Sequence, residues 1–184
     1  MRWRDEPVSI VLRPVDAFLA AHADLHIPLS GDGAIVLVDD AARRAAERHV
    51  AAKRVEQGGL LLGEPFVRSA ADGSIALVHV RTAVPSEDAT GSAIALRMEA
   101  AVWNDARAAL RPGEHVVGWF HSHPGIGAFF SDTDRRTQAA FFAQAYSLGW
   151  VIDPVRGEEA WFVGPDAQSV SAAFAAPARP PGSA

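Results

Sequence analysis

The chain has 184 residues, of which 49% are hydrophobic and 21% charged, with a formal net charge of -5 and no cysteine. That length fits one domain with short extensions and buries a core without cross-links; the missing cysteine excludes disulfides, a thiol nucleophile and every thiolate metal site. The negative balance argues against a broad phosphate-binding surface, so nucleic acid is not an expected partner.

The N-terminus carries charges (Arg2, Arg4, Asp5, Glu6) but no apolar stretch leading to a small-residue cleavage site, so it does not read as a secretory signal. No run approaches the ~20 apolar residues that cross a membrane. A cytoplasmic protein without membrane association is the expectation. Lys53 is the sole lysine among 17 basic residues, a bias that reflects a GC-rich, bacterial coding sequence more than any mechanism.

Residues 1–33 read as an extension, with a strand at 8–12 and a short helix at 15–23 interrupted by Pro7, Pro14 and Pro28. Ser30, Gly31, Asp32 and Gly33 form a turn cluster that separates it from the domain proper, placed at 34–164. Within that domain, 34–38 is a short apolar strand, and Asp39 or Asp40 caps an Ala-rich helix running to about Val55. Strands follow at 59–63 and 75–84, then a polar turn at 85–90. Within 96–110, Glu99, Val102, Trp103, Ala106 and Leu110 fall at helical spacing, and Pro112-Gly113 ends that helix. A strand at 115–120, a helix at 134–146 and strands at 150–152 and 160–163 complete the pattern. Residues 165–184, with Pro177, Pro180 and Pro181, read as a flexible tail. Strands and helices interleave, so the class is α/β with a mixed sheet and a single domain.

The informative segment runs from Trp119 to Asp134. His121 and His123 lie two apart at a strand end, so both imidazoles leave one face. Asp134 falls in the first turn of the next helix, where a carboxylate is favoured. Two imidazoles and one carboxylate make three protein ligands and leave a fourth position for water, the arrangement of catalytic zinc. Each part also has a plain structural reading. A His-x-His pair on a strand is often incidental, and Ser131 with Asp134 three residues on forms a carboxylate variant of the capping box. Both readings of Asp134 can hold together. His22, His26, His49, His79 and His115 show no such convergence and read as core or surface histidines.

Taken together, His-x-His-Pro, six residues, Ser, two residues, Asp resembles the signature of the JAMM (MPN+, or JAB-domain) zinc metalloproteases. The stretches 116–125 and 151–154 with Thr137-Gln138 are similar to the eukaryotic deubiquitinating members, and the likeness covers about 35–163. The resemblance implies a JAB/MPN-type mixed, curved sheet flanked by helices. It also implies a site with one Zn2+ per chain on His121, His123 and Asp134, and an upstream catalytic glutamate before a glycine-rich apolar strand. Glu56, ahead of Gly58-Gly59-Leu60-Leu61-Leu62-Gly63, matches that element; Glu64, on the far side of the strand, competes for the role. Glu56 would carry a proton from water to the leaving amine, and Ser131 would donate to the tetrahedral oxyanion. Ser122, between the histidines, faces away and reads as structural. Trp119 and Phe120 are expected to pack under the site, and one of Phe129 and Phe130 to be core.

The activity so implied is (iso)peptide cleavage at the C-terminal tail of a ubiquitin-like protein, in a bacterial conjugation system of the kind that includes some linked to phage defence. Trimming of a sulfur-carrier protein is the nearer rival. A metal-free MPN scaffold is the more distant one, since that reading expects lost ligands and all five site residues are present. The segment 85–95 is the candidate for a gating loop.

Overall fold

Short runs of Val, Leu and Ile form the strands of one mixed sheet in the computed structural model, which describes residues 10, 12–23, 27, 29, 33–86, 100–170 and 173–176. The elements in chain order are β1 (Arg13–Pro14), α1 (Val15–Ala21), β2 (Ile35–Asp39), α2 (Asp40–Ala51), β3 (Gly58–Val67), β4 (Ile75–Pro85) and α3 (Ala100–Ala109). There follow β5 (His115–Ser122), α4 (Asp132–Phe141), β6 (Leu148–Asp153), β7 (Glu158–Val163), β8 (Gln168–Val170) and β9 (Ala173–Ala176). The sheet order is β8-β7-β6-β5-β3-β4-β2-β9, with β1 continuing along the free half of β3. β5 pairs parallel with β6 and antiparallel with β3, so the strand carrying both histidines lies near the middle of the sheet.

The sheet curls into a half-barrel. Laid flat, the seven gaps between β8 and β9 would separate the two ends by ~34 Å. Yet only two residues lie between these strands in the chain, a link that spans at most ~11 Å. Curling brings the ends together around α2, which contacts β2, β3, β4, β5 and β9. Ala42, Ala46 and Val50 of α2 join Val36, Val38, Leu61, Val78, Phe120 and Trp150 in the largest apolar cluster. On the opposite face Val102 and Ala106 of α3 cover Leu60, Leu62, Trp119, Val151 and Phe162, together with Phe130 and Phe142. Gly149 permits the closest approach in this layer: a Cβ there would stand 2.1 Å from the Phe130 ring.

Several boundaries differ from the sequence expectation. α2 stops at Ala51 instead of reaching Val55, and residues 52–57 form an irregular stretch that leads into β3. Its N-cap is Asp39, but that side chain makes no cap bond; Asp39 Oδ1 lies 2.7 Å from His79 Nε2 instead. β3 continues to Val67, so Glu64 lies inside a strand. α4 spans Asp132–Phe141, beginning and ending earlier than expected. The stretch expected to be a flexible tail carries β8 and β9, whose alternating small and apolar residues find partners in β7 and β2. Most of the expected strand at 8–12, the turn at 30–32, the first residues of the helix at 96–110 and most of the candidate gating loop lie outside the described residues.

Candidate metal centre

Period-two alternation on β5 separates the site from the core behind it. Trp119 and His121 face α4, whereas Phe120 and Ser122 face α2. Trp119 lies flat against His121, with ring centroids 4.5 Å apart and an interplanar angle of 10°. Its indole N–H donates to Gln138 Oε1 on α4 at 2.7 Å, and Gln138 Nε2 donates in turn to the carbonyls of Ser147 and Gly164. Trp119 is therefore the floor of the site. Phe120 is not: its ring turns toward His49 and Trp150 on the other face.

α4 starts where the sequence places a cap. Ser131 is the N-cap, its hydroxyl accepts the Asp134 N–H at 3.2 Å, and Asp134 Oδ2 accepts the Ser131 N–H at 2.7 Å. This reciprocal box points the Asp134 carboxylate at the two imidazoles. His121 Nε2 lies 3.2 Å from His123 Nε2 and 3.3 Å from Asp134 Oδ1, and His123 Nε2 lies 3.6 Å from Asp134 Oδ2. A tetrahedral ion with bonds of ~2.0–2.1 Å has ligand–ligand edges of ~3.3–3.4 Å. The three residues thus fit a metal ion, and they are the metal-capable group among the described residues. All three are buried.

The electrostatics agree with that reading. Burial and the neighbouring His121 hold the His123 imidazole below its usual range, which keeps its ring neutral and its lone pair available. Burial raises the Asp134 carboxyl, but hydrogen bonds from His121 and Ser131 outweigh it and the net shift is downward. Glu56 lies on the irregular stretch between α2 and β3, with Oε1 4.0 Å from His123 Nε2. Burial, helped by the charge of Asp134, raises its carboxyl. The structure so brings together all five residues singled out in the sequence. Glu64 is not among them: it lies six residues along β3, ~20 Å from the site end of the strand, and pairs with Arg13 and Arg81.

Ser122, Phe129 and Asp153 border the site. Ser122, between the histidines, accepts the Gln57 N–H at its hydroxyl (3.0 Å) while its own N–H donates to the Gln57 carbonyl (2.8 Å). A side-chain hydroxyl thereby ties the residue after Glu56 to the residue between the ligands. Phe129 stands 5.0 Å from the His123 ring and is half exposed, whereas Phe130 stacks on Phe162 at 4.1 Å and is core. Asp153, at the end of β6, is fully buried and accepts four backbone N–H groups. Burial pushes its carboxyl up, yet these donors bring the pKa down to about 2. In the sequence Asp153 stands out only as the carboxylate within the stretch 151–154, part of the family likeness but with no role assigned to it.

A curled sheet that offers two imidazoles from one strand and a carboxylate from the following helix defines a metal-ligating domain of JAB/MPN type. The family of prokaryotic homologs of the JAB domain matches residues 38–164, and the chain belongs to it. Over 106 residues the chain is 34% identical to the NAD(+) hydrolase TcpA of Theionarchaea archaeon (strain DG-70-1), a match covering 57% of this chain and 29% of that protein. Over 44 residues it is 46% identical to the 26S proteasome non-ATPase regulatory subunit 14 of Drosophila melanogaster, covering 23% of this chain and 14% of that one. A solution structure of a Desulfitobacterium hafniense protein has the same fold, with a TM-score of 0.53 and 20% identity over 77% of this chain and 93% of that one. The chain thus spans less than a third of either curated relative. No helix among the described residues is long and apolar enough to cross a membrane.

Proposed function

We propose that this chain is a zinc-dependent (iso)peptidase that cleaves after the C-terminal tail of a ubiquitin-like protein. The observation that carries the reading is the convergence of His121, His123 and Asp134, whose nearest side-chain atoms lie 3.2, 3.3 and 3.6 Å apart, with Glu56 4.0 Å from His123. His121 Nε2, His123 Nε2 and Asp134 Oδ1 would hold the ion. Zinc there would supply Lewis acidity toward the scissile carbonyl and acidify water at neutral pH. Glu56 takes a proton from the attacking water as the water oxygen bonds to the carbonyl carbon. It then delivers that proton to the leaving amine as the C–N bond breaks. A carboxyl raised by burial is suited to both halves of that task.

Ser131 has a more constrained part than the family resemblance alone implies. Its hydroxyl donates to Asp134 Oδ2 at 2.7 Å, so it first orients a ligand. It reaches an oxyanion only by releasing that bond. Gly125 and Gly127 take positive φ, at 84° and 98°, a conformation that glycine adopts without strain.

The test is a ubiquitin-like protein fused through its tail to a reporter, incubated with the zinc-loaded chain. Cleavage directly after the tail is expected, and Glu56→Gln should lower it at least ~100-fold with zinc retained. Loss of zinc in that variant would make Glu56 a ligand. Unchanged cleavage would remove it from the chemistry. The archaeal relative's name makes NAD+ the control substrate; its consumption instead of fusion cleavage would overturn the peptidase reading.

A further inference from the structure

Asp153 belongs to neither the ligand set nor the proton path, yet its carboxylate is fully buried and saturated with donors. Oδ1 accepts from Gly125 N at 2.9 Å, Val155 N at 2.9 Å and Arg156 N at 3.1 Å; Oδ2 accepts from Gly127 N alone, at 2.7 Å. Two segments thus share one anchor: the loop that leaves His123, and the turn between β6 and β7. The first continues into the site. Gly127 O lies 3.3 Å from His123 Nδ1, and a carbonyl only accepts, so His123 carries its proton on Nδ1 and turns the Nε2 lone pair toward His121 and Asp134.

We propose that Asp153 is a positioning residue for the metal centre, acting through Gly127 to fix the ring orientation and tautomer of His123. The line runs from Asp153 Oδ2 to the Gly127 N–H, and from the Gly127 carbonyl to His123 Nδ1. Partners that orient a ligating histidine from outside the coordination sphere typically change metal affinity by about 10–100-fold. Here the carboxylate orients the carbonyl that orients the ring. The positive φ values of Gly125 and Gly127 are what aim their N–H groups at one carboxylate. The proposal rests on the reading of His121, His123 and Asp134 as metal ligands.

Asp153→Asn separates the two oxygens. Its amide oxygen is best placed at Oδ1, where three donors converge, which leaves the NH2 facing the Gly127 N–H and breaks that one bond. Zn2+ titration of the folded protein should show affinity weakened about 10–100-fold relative to wild type. A merely structural role would lower the unfolding temperature of the metal-free protein and leave the zinc affinity of the folded fraction unchanged. Wild-type affinity in Asp153→Asn overturns the proposal.

A second measurement needs no variant. In zinc-loaded wild-type protein, long-range proton–nitrogen NMR should show His123 protonated on Nδ1 with a slowly exchanging proton. Protonation on Nε2 overturns the proposal even if Asp153→Asn fails to fold. A wild-type chain that binds no zinc overturns the metal reading, and this one with it; binding in wild type with no change in Asp153→Asn and slow His123 exchange absent overturns this one alone.

Discussion

On the α2 side of β5, Phe120 packs among Trp150, Leu61 and Val50, all fully buried, and Trp150 stacks on Trp161 at 4.5 Å. On the other side, Trp119 opens the same apolar pattern, but the next residue on that face is His121, and the layer ends in His123, Asp134 and Glu56. Adjacent residues of one strand thus serve a dry core and a charged pocket. The dry face gains from burial in every direction. The site face places ionisable groups where burial opposes their charge, and it tolerates this because each has a partner or converges on one point. Trp119 joins the two regimes, being stacked on a ligand and hydrogen-bonded to Gln138.

That contrast can be broken from either face. The largest effect is expected on the site side, where Asp134→Ala removes a ligand and the capping partner of Ser131 together. Zinc affinity should fall by more than the ~100-fold upper range of an outer-shell change, read by metal titration. Full zinc retention would mean that the ligands lie elsewhere. From the dry side, Trp150→Ala should destabilise by about 3–5 kcal/mol, measured by denaturant unfolding, while the protein that remains folded keeps its zinc affinity. Equal loss of zinc there would show that the two faces are not separable.

The smallest effect is a pH dependence confined to acid. The Asp153 carboxyl sits at about 2 in the folded chain against an ordinary value of 3.8. A depressed carboxylate contributes stability that is fully present above the unfolded value and is lost as pH falls through the folded one. Unfolding midpoints should therefore drop between about pH 4 and pH 2, and Asp153→Asn should flatten that part of the curve. An unchanged slope in the variant would assign the acid sensitivity to other carboxylates.

The ligands, the cap and the general-acid-base candidate were legible because they occupy fixed spacings: two residues along a strand, three within a helical turn, and a glutamate ahead of Gly-Gly-Leu. Strand alternation should also have moved Phe120 off the site, since it falls between Trp119 and His121. Asp153 was not legible as part of the centre because its connection runs through backbone N–H groups, which carry no residue signature. β8 and β9 were missed for a different reason. They are only three and four residues long, Gln-Ser-Val and Ala-Phe-Ala-Ala, and carry too little β-branched or alternating pattern to mark a strand before their partners are known.

The meeting of β9 with β2 gives the chain a late commitment. Val36 pairs with Ala173 and Asp39 with Ala176, so these two strands are partners although more than a hundred residues separate them in the chain. Such distant pairings are slow to form. Until β9 arrives, β2 is an uncovered edge of Ile35, Val36, Leu37 and Val38, and an unpaired apolar edge invites a second molecule. In the folded protein β9 covers that edge, so a fragment ending before residue 173 is expected to self-associate more than the 184-residue chain, read by light scattering.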